Sequence, residues 1–134
     1  MESKTYDVST LKSVEEAIQA VEESLKSRRF SVLWHLDVNQ KLVEKGLEPE
    51  QPFHVLEVCS APRAKEAIHT SQKLGYFLPC KVVVYQDKDS GQTRIGFPEP
   101  ESLLGLAGSG SLSGLAREVA DTLREAVDEA ATGG

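Results

Sequence analysis

Residues 80–97 read CKVVVYQDKDSGQTRIGF, and this stretch decides the fold class. Three consecutive valines at positions 82–84, followed by Tyr85, are typical of a central β-strand. Residues 87–91 are rich in turn-forming types, and residues 93–97 return as a second strand. The stretch therefore predicts a β-hairpin, and the two strands of a hairpin are antiparallel.

An upstream strand also argues for an antiparallel sheet, because apolar and more polar residues alternate in it. The residues expected on its buried face are Phe30, Val32, Trp34, Leu36 and Val38. A strand with one buried face suits a sheet that carries helices on one side only. We therefore predict an α+β fold, with a largely antiparallel sheet and helices packed on one face. The expected element order is β-α-β-α-β-α-β-β-α.

Helix-start signals lie between the expected strands. A short first strand over residues 4–8 precedes Ser13 and Glu16, which fit a capping box at the start of the first helix. Asn39 is expected to cap a short second helix. Ser60 is expected to cap a third helix, which has a proline in its first turn.

The chain is predicted to form a single domain over residues 1–134. This length is usual for one domain, and 40% hydrophobic with 27% charged residues is an ordinary globular composition. Residues 105–114 hold four glycines and three serines, which predict a flexible connector. A long amphipathic C-terminal helix is expected to follow it.

The charge distribution argues against a nucleic-acid partner. The formal net charge is −6, whereas a nucleic-acid binder normally presents a basic patch to phosphates. The nearest approach to such a patch is Lys26, Arg28 and Arg29, at the end of the first expected helix. Cations at that position complement the helix dipole, which is a sufficient reason for them.

The sequence also predicts a cytoplasmic protein without a membrane partner. The opening residues, MESK, lack the basic start and apolar run of a signal peptide. No stretch approaches the roughly 20 apolar residues that a membrane-spanning helix needs. Two cysteines are too few for a secreted disulfide framework, so both are expected to be free thiols.

Cys59 is the most suggestive single residue, since the sequence contains no phosphate-binding loop, zinc-helix histidine pair or nucleophile elbow. It lies at the end of an expected strand, just before a helix N-terminus, where the helix field stabilises a thiolate. A low thiol pKa would suit a nucleophile, a redox sensor or a metal ligand. The alternative is that Cys59 packs as a small apolar side chain.

Cys80 begins the valine-rich strand, and topology decides whether it meets Cys59. If the two strands that carry the cysteines are antiparallel, both cysteines lie at the same end of the sheet. If the two strands are parallel, the cysteines lie at opposite ends. His35 and Asp37 share one face of an earlier strand and, with both cysteines, suggest a mixed metal site. The alternative for His35 and Asp37 is an exposed polar strand face.

Four segments carry a resemblance to a known family: residues 34–38 (WHLDV), 59–62 (CSAP), 78–85 (LPCKVVVY) and 98–104 (PEPESLL). In this order they resemble the bacterial and archaeal family called domain of unknown function 302. Cys59 and Cys80 fit its pattern, whereas Glu57 and His35 depart from it. The resemblance implies a compact α+β fold and a homodimer. It implies no established reaction or cofactor.

Three hypotheses about function remain open from the sequence. The first is a domain that binds a small ligand or metal ion near Cys59 and Cys80, with Asp37 or His35. The second is a structural or interaction dimer without chemistry. The third is a thiol redox protein or enzyme, in which Cys59 attacks and Cys80 resolves.

Overall fold

The computed structural model describes residues 5–99 and 113–132. Its strands are β1 (Thr5–Thr10), β2 (Ser31–Asp37), β3 (Phe53–Cys59), β4 (Cys80–Gln86) and β5 (Thr93–Pro98). Its α-helices are α1 (Val14–Lys26), α2 (Val38–Glu44), α3 (Ala61–Thr70) and α4 (Ser113–Thr132), with a 3-10 helix over Gln72–Phe77. The element order matches the prediction. The expected connector, residues 105–114, lies outside the described residues except for its last two, which begin α4.

The five strands form one antiparallel sheet in the order β1-β5-β4-β3-β2. The predicted hairpin joins β4 to β5, with Gln86 opposite Thr93 and a turn closed by the Gly91 amide on the Asp87 carbonyl. Gly91 has a φ of 74°, a conformation that glycine adopts without steric cost. The fold class is therefore confirmed as α+β.

The hydrophobic core lies between one face of the sheet and the helices α1 and α4. Leu25 of α1 and Leu123 of α4 are fully buried against Leu56 of β3, Val84 of β4 and Ile95 of β5. Burying a side chain of this size contributes roughly 1.5–3 kcal/mol. The helix α1 begins with the predicted capping box, in which the Ser13 and Glu16 side chains each accept the other residue's backbone amide.

A β-bulge in β2 overturns the expected burial of that strand. The register shifts between Val32 and Trp34, which places Trp34 opposite Glu57. One extra residue reverses the alternation from that point, so Trp34 leaves the core side and its exposed fraction is 54%. The prediction that Phe30, Val32, Trp34 and Leu36 share one buried face is therefore wrong beyond Val32.

The second helix begins two residues earlier than Asn39 alone would indicate. Asp37 is its N-cap, and its side chain accepts the Gln40 amide. The Asn39 side chain instead binds the backbone of Glu50 through both its amide nitrogen and its oxygen. Asn39 therefore fixes the loop that leads to β3 rather than the helix start, which corrects the prediction.

The face of the sheet opposite α1 and α4 has no buried side chain on β2, β3 or β4. We call this surface the open face; its apolar members are Trp34, Leu36, Phe53, Val55, Val83 and Tyr85. The Phe53 and Tyr85 rings contact each other across the strands, with centroids 5.4 Å apart. The open face therefore presents a partly apolar surface to solvent.

Candidate functional site

The antiparallel pairing of β3 with β4 brings the two cysteines to the same end of the sheet. Cys80 lies opposite Val58, the residue before Cys59. Because successive side chains of a strand point to opposite faces, the two thiols leave the sheet in different directions. Cys80 packs against the core, and Cys59 lies on the side of Glu57. Both thiols are free and partly buried.

A cavity of about 580 Å³ opens at this end of the sheet, and both cysteines line it. It lies between the strand ends, α3 and the segment after the 3-10 helix. Its wall is mainly apolar and includes Phe30, Trp34 and Tyr76. The cavity reaches both thiols because it surrounds the end of the sheet, where the two faces meet.

Arg63 of α3 is the principal charged group in the wall of the cavity. Its Nε donates to Oε1 of Glu118 on α4 at 2.8 Å, and its guanidinium lies 5.5 Å from the centroid of the Phe30 ring. The buried hydroxyl of Ser60 accepts a further contact from Arg63 Nη1 at 3.4 Å. Arg63 therefore ties α3 to α4 across the cavity wall.

The second pair of charges at the cavity is Glu57 and Lys81, which face each other on β3 and β4. Lys81 Nζ lies 2.7 Å from Glu57 Oε1. Glu57, the glutamate that departs from the family pattern, is thus neutralised by Lys81 on the neighbouring strand. Each of these two cations at the cavity therefore has its own carboxylate partner.

The local environment keeps both thiols protonated at neutral pH. Burial raises the pKa of Cys80 to about 11, with smaller contributions from Cys59 and Glu57. Burial also raises the pKa of Cys59. This differs from the lowered thiol pKa expected for Cys59 before a helix N-terminus. The thiols can act here as weakly polar walls of the cavity.

His35 and Asp37 lie away from the cysteines, since Asp37 is near the opposite end of β3 and His35 is opposite Leu56 in the middle of that strand. Asp37 is opposite His54, which precedes Cys59 by five residues, about 17 Å along the strand. His35 Nε2 lies 2.8 Å from His54 Nδ1. Across residues 5–99 and 113–132, no three His, Cys, Asp or Glu side chains come together in a group able to hold a metal. The mixed site expected from His35, Asp37 and the two cysteines is therefore not assembled.

Sequence reasoning missed Arg63, Tyr76 and His54. Arg63 immediately follows the CSAP segment, residues 59–62, so its place in the first turn of the third helix was a usable signal for a residue near Cys59. Tyr76 reaches the cavity through the 3-10 helix, and no pattern in the sequence indicated that approach. The pairing of His54 with His35 depends on the strand register, which the bulge in β2 changes.

Comparison with known proteins agrees with the fold. The family described as "Domain of unknown function DUF302" matches residues 5–130. The crystal structure of the uncharacterized conserved protein DUF302 from Bacillus stearothermophilus is similar, with 38% sequence identity and a TM-score of 0.91. The similarity covers 96% of this chain and 99% of that one. No curated protein matches the chain.

In the described part of the chain, no helix has the length and apolar character to cross a membrane. The matched range contains all four segments on which the resemblance was based, and the structural similarity spans nearly the whole of both chains. The chain therefore belongs to the DUF302 family, an uncharacterised family whose name states no activity.

Proposed function

We propose that the chain binds a small, mainly apolar and uncharged molecule in the cavity between α3 and the end of the sheet. The observation that carries this proposal is the cavity itself, about 580 Å³ with walls that include Phe30, Trp34 and Tyr76. Pockets for small ligands are typically about 300–1,000 Å³, mainly apolar, with a few polar groups that fix orientation. Cys59, Cys80 and Ser60 supply such groups here.

The charges around the cavity favour an uncharged ligand. Arg63 is paired with Glu118, and Lys81 is paired with Glu57. A ligand anion would have to compete with a carboxylate already bound to each cation. A neutral molecule avoids that competition, since it leaves both ion pairs intact and displaces only water from apolar walls.

The thiol environment favours binding over redox or nucleophilic chemistry. The thiolate is the reactive form of cysteine, and burial raises the pKa of both thiols. The pleat also directs the two side chains to different faces, which opposes a disulfide between them. Both observations support a role for Cys59 and Cys80 as cavity walls.

A pair of fluorescent probes tests this proposal. N-phenyl-1-naphthylamine is apolar and uncharged, and 1-anilinonaphthalene-8-sulfonate has a closely similar skeleton with a sulfonate. We expect the uncharged probe to bind more tightly and to accept excitation energy from Trp34, the only tryptophan of the chain and part of the cavity wall. Tighter binding of the sulfonate would contradict the proposed ligand class.

Two substitutions in α3 locate the probe. Ala64 lines the cavity, so Ala64→Phe should fill part of it and weaken the uncharged probe at least about tenfold. Ala61 is exposed at the start of the same helix, so Ala61→Phe should leave binding unchanged. Equal binding by the two variants would show that the probe binds elsewhere and would refute the cavity as the site.

Self-association is a second candidate function, favoured by the open face. Trp34 is 54% exposed, Phe53 is 37% exposed, and the neighbouring Leu33 at the bulge is 61% exposed. Charges on this side are already paired, Glu57 with Lys81 and Asp7 with Arg94. Two identical copies can therefore meet through this surface without like-charge repulsion. We propose a homodimer with the open faces in contact.

Sedimentation velocity at micromolar concentration tests the dimer. Phe53→Ser should shift the equilibrium to monomer, because it removes an exposed aromatic side chain from the proposed contact. Leu11→Ser is the matched control, since Leu11 is fully exposed in the connection between β1 and α1. A monomeric wild-type protein, or a dimer that survives Phe53→Ser unchanged, would count against this interface.

A further inference from the structure

His35 and His54 form a pair of imidazoles on neighbouring strands, at the edge of the sheet. His35 lies on the edge strand β2, and His54 lies near the start of β3, diagonally across the ladder. His35 Nε2 and His54 Nδ1 are 2.8 Å apart, and the ring planes meet at 52°. His35 is exposed and His54 is partly buried, so solvent reaches the pair.

The distance between the two nitrogens fits two adjacent positions around a metal ion. Imidazole nitrogens bind first-row divalent ions at about 2.0–2.1 Å, so two ligands at right angles are separated by roughly 2.9 Å. The corresponding separation at a tetrahedral ion is roughly 3.4 Å. The observed 2.8 Å is a hydrogen bond between the two rings, and the right-angled arrangement that Cu²⁺ and Ni²⁺ prefer needs nearly the same separation. One of the two nitrogens carries the shared proton; once that proton moves to the other nitrogen of its ring, small rotations would turn both lone pairs toward one ion.

The surrounding charge also favours a cation. Asp37 lies opposite His54 across the ladder, and Glu15 of α1 is close enough for its charge to act on the same ring. Among the described residues neither carboxylate joins the two rings in a group of three ligands, and the Asp37 side chain accepts the Gln40 amide at the start of α2. The two carboxylates would therefore contribute attraction, and water would fill the remaining coordination positions.

We propose that His35 and His54 form a two-histidine chelate for a divalent transition ion, Cu²⁺ or Ni²⁺. The site is separate from the cavity, since neither histidine lines it and His54 is about 17 Å along β3 from Cys59. It differs from the mixed site expected from the sequence, because it uses neither cysteine and takes its second ligand from His54. The strand pairing creates it, because only the register of β2 on β3 brings the two rings together.

Isothermal titration calorimetry of the full chain with Ni²⁺ at pH 7.5 tests this site. The chain has three histidines, so His69 on α3 supplies a matched control. We expect one Ni²⁺ per chain, and His35→Gln or His54→Gln should each weaken binding at least about tenfold, or about 1.4 kcal/mol. His69→Gln and Cys59→Ser/Cys80→Ser should retain the wild-type affinity.

Electron paramagnetic resonance of the 1:1 Cu²⁺ complex gives a second readout. Two equatorial imidazole nitrogens are expected in the wild type, and one in His54→Gln. Because His35 is exposed and His54 only partly buried, thermal melting should show that the variants remain folded. Unchanged Ni²⁺ affinity in both His35→Gln and His54→Gln, or a loss of affinity in His69→Gln, would overturn the proposal. A single nitrogen in the wild-type spectrum would do the same.

Discussion

Cys80 lies directly opposite Val58, one residue away from the position that would face Cys59. The two thiols therefore share one end of the sheet but belong to different faces of it. Cys80 packs against the core, and Cys59 belongs to the more exposed side. Because the residues around each thiol are mainly apolar, burial dominates the chemistry of both.

We expect both thiols to react slowly with iodoacetamide at pH 7, because each is protonated there. The rate for Cys80 should keep rising with pH until about pH 11, since burial raises its pKa to about 11 and the thiolate is the reactive form. Mass spectrometry of Cys59→Ser and Cys80→Ser would give the two rates separately. Rapid labelling of Cys59 with an apparent pKa below the usual value of about 8.5 would instead support a reactive thiol.

Gly96 of β5 lies where β1 passes too closely for any side chain. A Cβ at this position would lie 2.7 Å from Asp7 Cβ and 2.8 Å from the Tyr6 carbonyl oxygen. Gly96→Ala should therefore displace β1 and lower the free energy of unfolding by roughly 1–3 kcal/mol. Gly75→Ala is the control, since a Cβ added there would meet no heavy atom within 4 Å beyond its neighbours in the chain, and the expected change is within about 0.5 kcal/mol. Equal stability of the two variants in urea would contradict this packing.

The elements that could be predicted from the sequence are those set by local chemistry. The hairpin between β4 and β5 follows from β-branched residues on both sides of a turn, and the start of α1 follows from the Ser13 capping box. The bulge in β2 could not be predicted, because it depends on how β2 pairs with β3. Alternation in the sequence indicates a strand, but the partner decides where the alternation breaks.

The bulge predicts different stability effects for two aromatic residues that the sequence pattern placed on one face. Phe30 is 3% exposed, so Phe30→Ala should cost about 3–5 kcal/mol of unfolding free energy. Trp34 lies beyond the bulge at 54% exposure, so Trp34→Ala should cost less than about 1 kcal/mol. Urea denaturation would be followed by circular dichroism, because Trp34 is the only tryptophan and Trp34→Ala therefore has no tryptophan fluorescence. At a concentration at which the protein is monomeric, a large loss in Trp34→Ala would place that ring in the core.

The candidate sites also contain residues that local sequence reveals and residues that only long-range contacts place. The two cysteines were found from short segments, because both lie at ends of strands that the sequence marks clearly. The position of Arg63 at the start of α3 has a signal in the sequence, but its contact with Glu118 joins residues 55 positions apart, and the histidine pair depends on the register of two strands. Such contacts between distant residues carry no local signal, so one sequence without a structure does not reveal them.

The contact between α1 and α4 predicts a specific acid sensitivity. Glu129 accepts hydrogen bonds from Arg28 and from the Ser24 hydroxyl, and these hold its pKa below the usual 4.5, with Arg28 the larger cause. A carboxylate with a lowered folded-state pKa stabilises the fold above pH 4.5, and this contribution is lost as the pH falls through the lower value. The wild type should therefore melt at a higher temperature than Glu129→Gln at pH 7, and the difference should shrink below pH 4.5.

Thermal melts across this pH range should also separate Glu129 from its neighbour. Glu125 lies farther from Arg28, with Oε2 4.0 Å from Nε, and its side chain is 73% exposed. Glu125→Gln should therefore change the melting temperature less than Glu129→Gln at pH 7, because an exposed pair at that distance contributes little. High salt should reduce the effect of Glu129→Gln, since exposed charges are screened. A difference that persists unchanged at pH 3 would show that Glu129 stabilises the helix pair by packing rather than by charge.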